Sequence, residues 1–293
     1  NEVDVAAGED ITITAGEGDN QFTTSTAQFD DGQDNEIVTT ITVGGGDNDI
    51  TIENTEIFTI TAGNGDNRIE AIADASGGSD FGGITEDDVS TIALGDGQNE
   101  VNATARFVDV QAGEGANEIV VTGAEEATVV AGDGGNTIGV DAAAIDVTTG
   151  AGNDTVTVVG SSNDYLVDGA DLQINVGGGS NTIVLGADDV SPNSITAKSG
   201  SSIAGDDITL MVENASDLRA ADLQGITNVV LNYDISTSYN EALRAYEASP
   251  ALTLTDTQFA AIGAENFDVL GAEFSQYSQI KIIVTQSGSL ADL

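Results

Sequence analysis

The chain has 293 residues, of which 50 are Asp or Glu and six are Lys or Arg, and it contains no His, no Cys and no Trp. Without His or Cys it offers no imidazole base, no thiol nucleophile and no zinc site of the His/Cys kind. A net charge of −44 argues against nucleic acid or an anionic membrane as a partner. No stretch approaches the roughly 20 apolar residues of a transmembrane helix, so membrane insertion is not expected.

Acidic charge and glycine are concentrated in the first two thirds of the chain. Residues 1–190 hold 37 acidic and two basic residues, whereas residues 191–293 hold 13 acidic and four basic ones. Glycine thins out across the same point, near Pro192. We therefore predict two domains, a glycine-rich one over 1–190 and a capping or assembly domain over 191–293.

The glycine-rich part contains one motif eight times. It has the form G-x-G-x-N-x-apolar, with Asp in place of Asn in one copy. The copies begin at Gly16, Gly44, Gly63, Gly95, Gly113, Gly132, Gly150 and Gly177. Successive starts lie 28, 19, 32, 18, 19, 18 and 27 residues apart, so the basic period is 18–19 residues and the longer gaps contain an insertion. A repeat of this kind is typical of a solenoid.

Each period is long enough for two strands and two turns. Glycine allows the backbone conformations of a tight turn, and an apolar run follows each glycine pair. A second apolar run comes about nine residues later, as in 127–130, 145–148 and 172–176. Stacked coils would bury one column of apolar side chains, namely Phe22, Ile50, Ile69, Val101, Ile119, Ile138, Val156 and Ile183. We predict an all-β fold, a parallel β-solenoid (β-roll or β-helix) with 18–19-residue coils.

The second region is less regular and mixes strand and helix signals. Strand patterns occupy 208–212, 226–233 and 281–285. Helix patterns occupy 216–223, 241–247 and a segment that Thr255-Asp256 caps and that runs through Ile262 to Gly263. We predict a smaller mixed α/β domain after the solenoid. It would cover the unpaired strand edges at the solenoid's end.

One copy of the motif carries a family resemblance. Gly150-Ala151-Gly152-Asn153-Asp154-Thr155-Val156 resembles the repeat G-G-x-G-x-D-x-U-x of RTX proteins, the calcium-binding β-roll family. The resemblance covers roughly residues 1–190. It implies Ca²⁺ shared between aspartates and turn carbonyls of successive coils. It also implies export by a one-step type I route without an N-terminal signal peptide, and an extracellular or cell-surface location.

The other seven copies carry Asn where the family carries Asp. An amide oxygen can ligate Ca²⁺ but brings no charge, while acidic side chains lie nearby in seven of the eight turns. The predicted metal ligands are Asp19, Asn20, Asp47, Asn48, Asp66, Asn67, Asp96, Asn99, Asn117, Asp133, Asn136, Asp154 and Asn181. The alternative is a solvated acidic face over an internal ladder of amide hydrogen bonds, which needs no metal.

The sequence offers no convincing reactive constellation. Adjacent carboxylates such as Asp87-Asp88 and Asp206-Asp207 could supply a glycosidase pair, but neighbours on a strand point to opposite faces. A lyase acting on acidic polysaccharide would need basic groups, and the repeat region contains only Arg68 and Arg106. We predict that the chain is not an enzyme.

The stretch 221–232, with Gly225-Ile226 followed by two polar residues and a strand pattern, resembles a sequence pattern common in bacterial surface-layer and large adhesin proteins. We predict an extracellular structural protein, a calcium-stabilised solenoid that assembles with copies of itself into a surface layer, sheath or filament. Cell-surface polysaccharide is a further candidate partner. The alternatives are an RTX-type adhesin or binding module, the repeat-plus-secretion tail of a larger exported enzyme, and a protein adapted to high salt, which would screen the excess acid.

Overall fold

The computed structural model describes residues 1–7, 10–26, 37–73, 88–159, 171–186, 195–213, 215–232, 239–240, 245–246, 251–270 and 281–285. Within these ranges the chain is mostly β, with one α-helix. In chain order the strands are β1 (Glu2–Ala7), β2 (Ile11–Thr14), β3 (Gln21–Thr26), β4 (Val38–Val43), β5 (Asp49–Thr55), β6 (Ile57–Ala62), β7 (Arg68–Ala73), β8 (Ser90–Leu94), β9 (Glu100–Thr104), β10 (Phe107–Ala112), β11 (Glu118–Ala131), β12 (Thr137–Thr149), β13 (Thr155–Val159), β14 (Asp171–Asn175), β15 (Asn181–Gly186), β16 (Ile195–Thr196), β17 (Ser202–Ala204), β18 (Ile208–Val212), β19 (Ala215–Asp217), β20 (Asp222–Leu223), β21 (Ile226–Asn232), β22 (Tyr239–Asn240), β23 (Ala245–Tyr246), β24 (Ala251–Thr255), β25 (Phe267–Leu270) and β26 (Lys281–Thr285). Helix α1 spans Asp256–Ile262 and is followed by a 3₁₀ turn at Ala264–Asn266.

The strands stack into two long columns in which every pairing is parallel, so the predicted parallel β-solenoid is confirmed. The first sheet runs through β1, β3, β5, β7, β9, β11, β12, β13, β15, β18, β21 and β25. The second sheet runs through β2, β4, β6, β8, β10, β11, β12, β14, β17 and β20. The long strands β11 and β12 take part in both sheets, which join there.

The interior is filled by alternate residues of both sheets. The eight residues predicted to form the buried column of the first sheet all have 2% or less of their surface exposed, and the strand register places them on one another, as in Phe22 on Ile50 and Ile119 on Ile138. The second sheet contributes a matching column that includes Ile41, Ile60 and Ile92. Because side chains alternate across a strand, the residues between them face outward.

The three longer gaps between motif copies do not disturb the stacking. Each contains residues outside the described ranges, 27–36, 74–87 and 160–170. The strand before each gap nevertheless pairs in register with its equivalent after it, as Gln21 with Asp49 and Arg68 with Glu100. The insertions therefore leave the coil repeat intact on the glycine side.

The parallel sheets continue past the predicted domain boundary near residue 190. Strand β15 pairs with β18, β18 with β21, and β21 with β25. A third, four-stranded parallel sheet consists of β16, β19, β24 and β26. Helix α1 packs beside β24 and β21. The mixed α/β part thus extends the solenoid stacking, while the change in composition coincides with the last glycine motif.

Several predicted elements of this part are confirmed. The strand over 208–212 has the predicted bounds, and the strand predicted over 226–233 is present at Ile226–Asn232, while Tyr233 lies outside the described residues. The strand over 281–285 is also present. Helix α1 begins after Thr255, whose hydroxyl accepts a hydrogen bond from the Gln258 amide, and it ends at Gly263, which has a φ of +88°.

Two helix predictions are wrong. Residues 216–223 contribute to strands β19 and β20, because pairing with neighbouring coils buries Ser216 and Leu218 and outweighs the local helix signal. In 241–247, Ala245 and Tyr246 form a strand that pairs antiparallel with β22. The remainder of that segment lies outside the described residues.

Candidate functional site

The glycine turns form one continuous edge of the solenoid. In each turn the third motif position holds a glycine with positive φ, as at Gly46, where φ is +125°. A Cβ atom on Gly46 would also lie 2.6 Å from the carbonyl carbon of Gly18 in the preceding coil. Both the left-handed conformation and the close approach of the backbones therefore require glycine here.

The fifth motif position builds an amide ladder inside this edge. Each ladder Asn is buried. From Asn20 to Asn136 its Nδ2 donates to the Oδ1 of the ladder residue in the next coil, whereas the last one, Asn181, donates to the Asp206 carbonyl oxygen. The successive distances are 2.8 Å for Asn20 to Asn48, 2.8 Å for Asn48 to Asn67, 2.9 Å for Asn67 to Asn99, 2.9 Å for Asn99 to Asn117, 2.9 Å for Asn117 to Asn136 and 2.9 Å for Asn136 to Asp154. Asn1 extends the ladder at its start, with Nδ2 at 2.8 Å from the Asn20 Oδ1.

Each ladder amide also fastens its own turn. Asn117 Nδ2 lies 3.2 Å from the Gly113 carbonyl oxygen and 3.1 Å from the Gly115 carbonyl oxygen. Its Oδ1 accepts the backbone N–H of Asn99 in addition to that residue's side chain. The donors and acceptors of the buried amide are thus satisfied within the protein, as buried polar groups require.

Asp154 changes the ladder at the seventh turn. Its Oδ1 accepts both the side chain and the backbone N–H of Asn136, each at 2.9 Å. Its Oδ2 accepts the Thr149 hydroxyl at 2.8 Å. A carboxylate has no N–H, so the side chain passes no hydrogen bond to Asn181; instead the Asp154 backbone N–H donates to Asn181 Oδ1 at 3.0 Å.

Thr149 is the partner that this exchange demands. In the other seven motif copies the residue before the first glycine is Ala, Val or Leu, and only the copy with Asp154 has a hydroxyl there. Thr149 is buried and is placed to donate to the carboxylate oxygen that replaces the amide nitrogen. Sequence reasoning missed Thr149, although aligning the eight copies shows the paired exception.

The predicted acidic ligands lie outside the ladder. Asp19, Asp47, Asp66, Asp96 and Asp133 are exposed at the turns. Each uses one carboxylate oxygen to accept a backbone N–H of the next coil, for example Asp66 N–H to Asp47 Oδ1 at 2.9 Å and Ala151 N–H to Asp133 Oδ1 at 2.7 Å. These carboxylates therefore connect neighbouring turns by hydrogen bonds on the solvent side.

The turn oxygens that an RTX calcium site would use as ligands are engaged in hydrogen bonds within the protein. Ca²⁺ takes six to eight oxygen ligands, but the ladder amide oxygens and the glycine carbonyls beside them already accept N–H groups of the protein. Over the described ranges, no three acidic side chains lie close enough together to hold a metal ion. Asp154, the residue that fits the RTX pattern, has three hydrogen-bond donors from the protein itself. Calcium binding stays a prediction that needs a direct test.

Further hydrogen bonds hold the coils beyond the ladder. Asp207, at a φ of +40°, accepts the hydroxyls of Ser180 at 2.6 Å and Thr227 at 2.7 Å, and these bonds lower the pKa of Asp207. Asp217 accepts the Arg219 guanidinium at 2.6 Å, which lowers the pKa of that carboxyl. Both groups are thereby favoured in the charged form.

Comparison with known proteins adds no relative. No protein-family model, no curated protein and no solved structure matches the chain. In the part of the chain that the structure describes, no helix has the length and apolar character to cross a membrane. The class is therefore set by the fold alone, a parallel β-solenoid, and the RTX and surface-layer resemblances stay predictions.

Proposed function

We propose that the chain is a non-enzymatic structural protein whose solenoid forms a stiff rod at the cell surface and assembles with copies of itself. The observation that carries this proposal is the amide ladder, which joins seven coils from side chain to side chain and reaches the eighth through the Asp154 backbone N–H. A solenoid coil contacts mainly its neighbours, so a bond that recurs at every step resists bending and local opening along the whole column. The RTX-like turns support an extracellular location and type I export.

Strand β26 is the surface that we assign to assembly. It pairs with β24 on one side, and its other edge has no partner strand among the described residues. Ile282, Ile283 and Val284 are 37%, 43% and 45% exposed. An apolar edge strand of this kind is a template for pairing with another chain. A contact between this edge and a different surface of the next copy would repeat into an open array.

Electron microscopy and sedimentation velocity of the intact chain test the proposal. We expect concentration-dependent assemblies for the wild type and their loss in Ile283→Asp. The matched control is Val130→Asp, since Val130 is 41% exposed in the middle of the second sheet, and this variant should assemble normally. Monodisperse wild-type monomers at high concentration, with or without calcium, would overturn the assembly proposal.

A further inference from the structure

The outward face of the second sheet changes character along the solenoid. Its first four coils present the triplets Thr12-Ile13-Thr14, Thr40-Ile41-Thr42 and Thr59-Ile60-Thr61, followed by Thr91-Ile92-Ala93. In each triplet the central Ile points into the core and the flanking residues point outward. We call the outward residues of these four strands the threonine face.

The threonine face is a regular array. Strand register places Thr12, Thr40, Thr59 and Thr91 in one column and Thr14, Thr42 and Thr61 in a second, without a bulge. Parallel strands lie about 4.8 Å apart, and alternate residues of one strand about 6.6 Å apart. Thr side chains are stiff at χ1. Their hydroxyls make no hydrogen bond to another residue within the described ranges, which leaves them available to water.

The threonine face is also free of charge in a chain of net charge −44. In these same coils the first sheet points Asp49, Glu53, Arg68 and Glu70 outward. In the coil that follows, the second sheet places Asp109 in the first threonine column. Solvent exposure by itself does not require threonine here, since both neighbouring surfaces carry acids.

These features restrict what the face can bind. A charged partner would find its complement on the acidic surfaces and not on this one. Four rows of two columns cover a few hundred Å² at most, whereas stable protein interfaces bury about 800 Å² per partner. The face is built on open strands and contains no aromatic ring, unlike the concave, aromatic-lined sites that small molecules prefer. A rigid, uncharged lattice that repeats with similar spacings is the remaining partner.

We propose that the threonine face binds ice. Water molecules at the prism surface of an ice crystal form rows whose repeat is close to the spacing of the stacked strands, and a second repeat is somewhat longer than the spacing between the two threonine columns. Each row of threonines therefore meets equivalent positions of the lattice, and the hydroxyls and ordered water can share hydrogen bonds, while the methyl groups exclude disordered water. This function is independent of assembly, because a single solenoid presents the whole array.

Slow freezing of a dilute solution of the intact chain tests the proposal. The wild type should be enriched in the growing ice and should inhibit ice recrystallisation. The variant Thr42→Lys/Thr61→Lys, which changes one aligned pair of the array, should lose both effects. The matched control is Thr23→Lys/Thr51→Lys, an aligned pair on the first sheet, which should retain both. Circular dichroism checks that each variant is folded.

If the lysine variant fails to fold, Thr42→Val/Thr61→Val keeps the shape of the side chains and removes two hydroxyls, and enrichment in ice should again fall. Wild-type protein that stays in the liquid fraction, like an inert protein of equal size, overturns the proposal. So does equal loss of enrichment in the two lysine variants. Binding to milled cellulose or chitin through this face, without enrichment in ice, would assign the surface to crystalline polysaccharide instead.

Discussion

The ladder coils and the later coils stack their strands in the same parallel manner but hold their turns by different means. From Asn20 to Asn181 one buried side chain, always at the fifth motif position, holds the turn of each coil by hydrogen bonds. After residue 195 each contact is individual, as where Gln258 Nε2 donates to the carbonyls of Leu218 and Ala221, both at 2.8 Å. A solenoid can therefore continue after its sequence repeat has ended, provided that other side chains fasten the turns.

The largest expected effect comes from interrupting the ladder. Asn99→Ala removes the acceptor of the Asn67 backbone N–H and one acceptor of the Asn67 side chain. It also removes the side-chain donor to the Gly97 carbonyl and leaves the Gly95 carbonyl with only the Gly113 N–H. A buried hydrogen-bonding group left unsatisfied costs about 1–3 kcal/mol. Several such groups lose a partner at once. We therefore expect the free energy of unfolding, measured with urea, to fall by about 3 kcal/mol or more.

The control for this change lies three residues away in the same coil. Asn102 is exposed on the first sheet, and surface substitutions of this kind usually change stability by no more than about 0.5 kcal/mol. Equal destabilisation by Asn99→Ala and Asn102→Ala would contradict a special role for the ladder.

The exchange at Asp154 gives the second prediction. Thr149→Val removes the hydroxyl that donates to a buried carboxylate oxygen of Asp154 and should lower the free energy of unfolding by about 2 kcal/mol. In Thr149→Val/Asp154→Asn the amide can donate to Asn181 Oδ1, as in the other turns, and most of this loss should be regained. Residues in direct contact show such non-additive effects. Thr148→Val, on the outward side of the same strand, is the control; purely additive effects in the double mutant would refute the pairing.

The repeat region was predictable because every coil repeats the same environment. The glycine and Asn positions, the buried column and the two strands per coil all follow from eight aligned copies. Residues 216–223 were mispredicted because their local helix signal occurs once and is outweighed by strand pairing with β17 and β24.

The candidate site divides in the same way between what the sequence reveals and what it does not. The motif identified the ladder residues, but a ladder of amide hydrogen bonds and a column of metal ligands would both use the same motif positions. Hydrogen-bond geometry separates them, because only the structure shows that the Asn67 and Asn99 amides point at each other and at the turn carbonyls. The direction in which an amide points is not encoded in its spacing along the chain.

A smaller, pH-dependent effect is expected in the later coils. Arg219 lowers the pKa of Asp217 below its ordinary value of 3.8. A carboxyl with a lowered folded-state pKa contributes stability above its unfolded pKa and loses it as the pH falls through the folded value. Asp217→Asn should therefore reduce stability at pH 7 by about 0.5 kcal/mol, since partly exposed ion pairs contribute little.

As the pH falls through the lowered pKa of Asp217, this difference between Asp217→Asn and the wild type should shrink, because the wild-type carboxyl then loses its charge. Urea unfolding at pH 7 and pH 2.5 measures it. Asp146→Asn, at an exposed outward position of the second sheet, serves as the control. A difference for Asp217→Asn that persists unchanged at low pH would show that the contact does not depend on charge.

Calcium gives the sharpest comparison between the ladder and the later coils, with the smallest expected effect. If the amides hold the turns, Ca²⁺ acts on the exposed carboxylates only by screening their repulsion. Calorimetry with Ca²⁺, with EGTA, and with EGTA at matched ionic strength should then give the same melting temperature in the first and third conditions. A specific site would add RT ln(1 + [Ca²⁺]/Kd) to the free energy of unfolding. Chelation by EGTA would then lower the melting temperature even at matched ionic strength. Hydrogen exchange locates such a loss of stability. If the site is of the RTX type, removing Ca²⁺ should increase exchange selectively in residues 1–190, and Asp154→Ala should abolish the calcium response near its own coil.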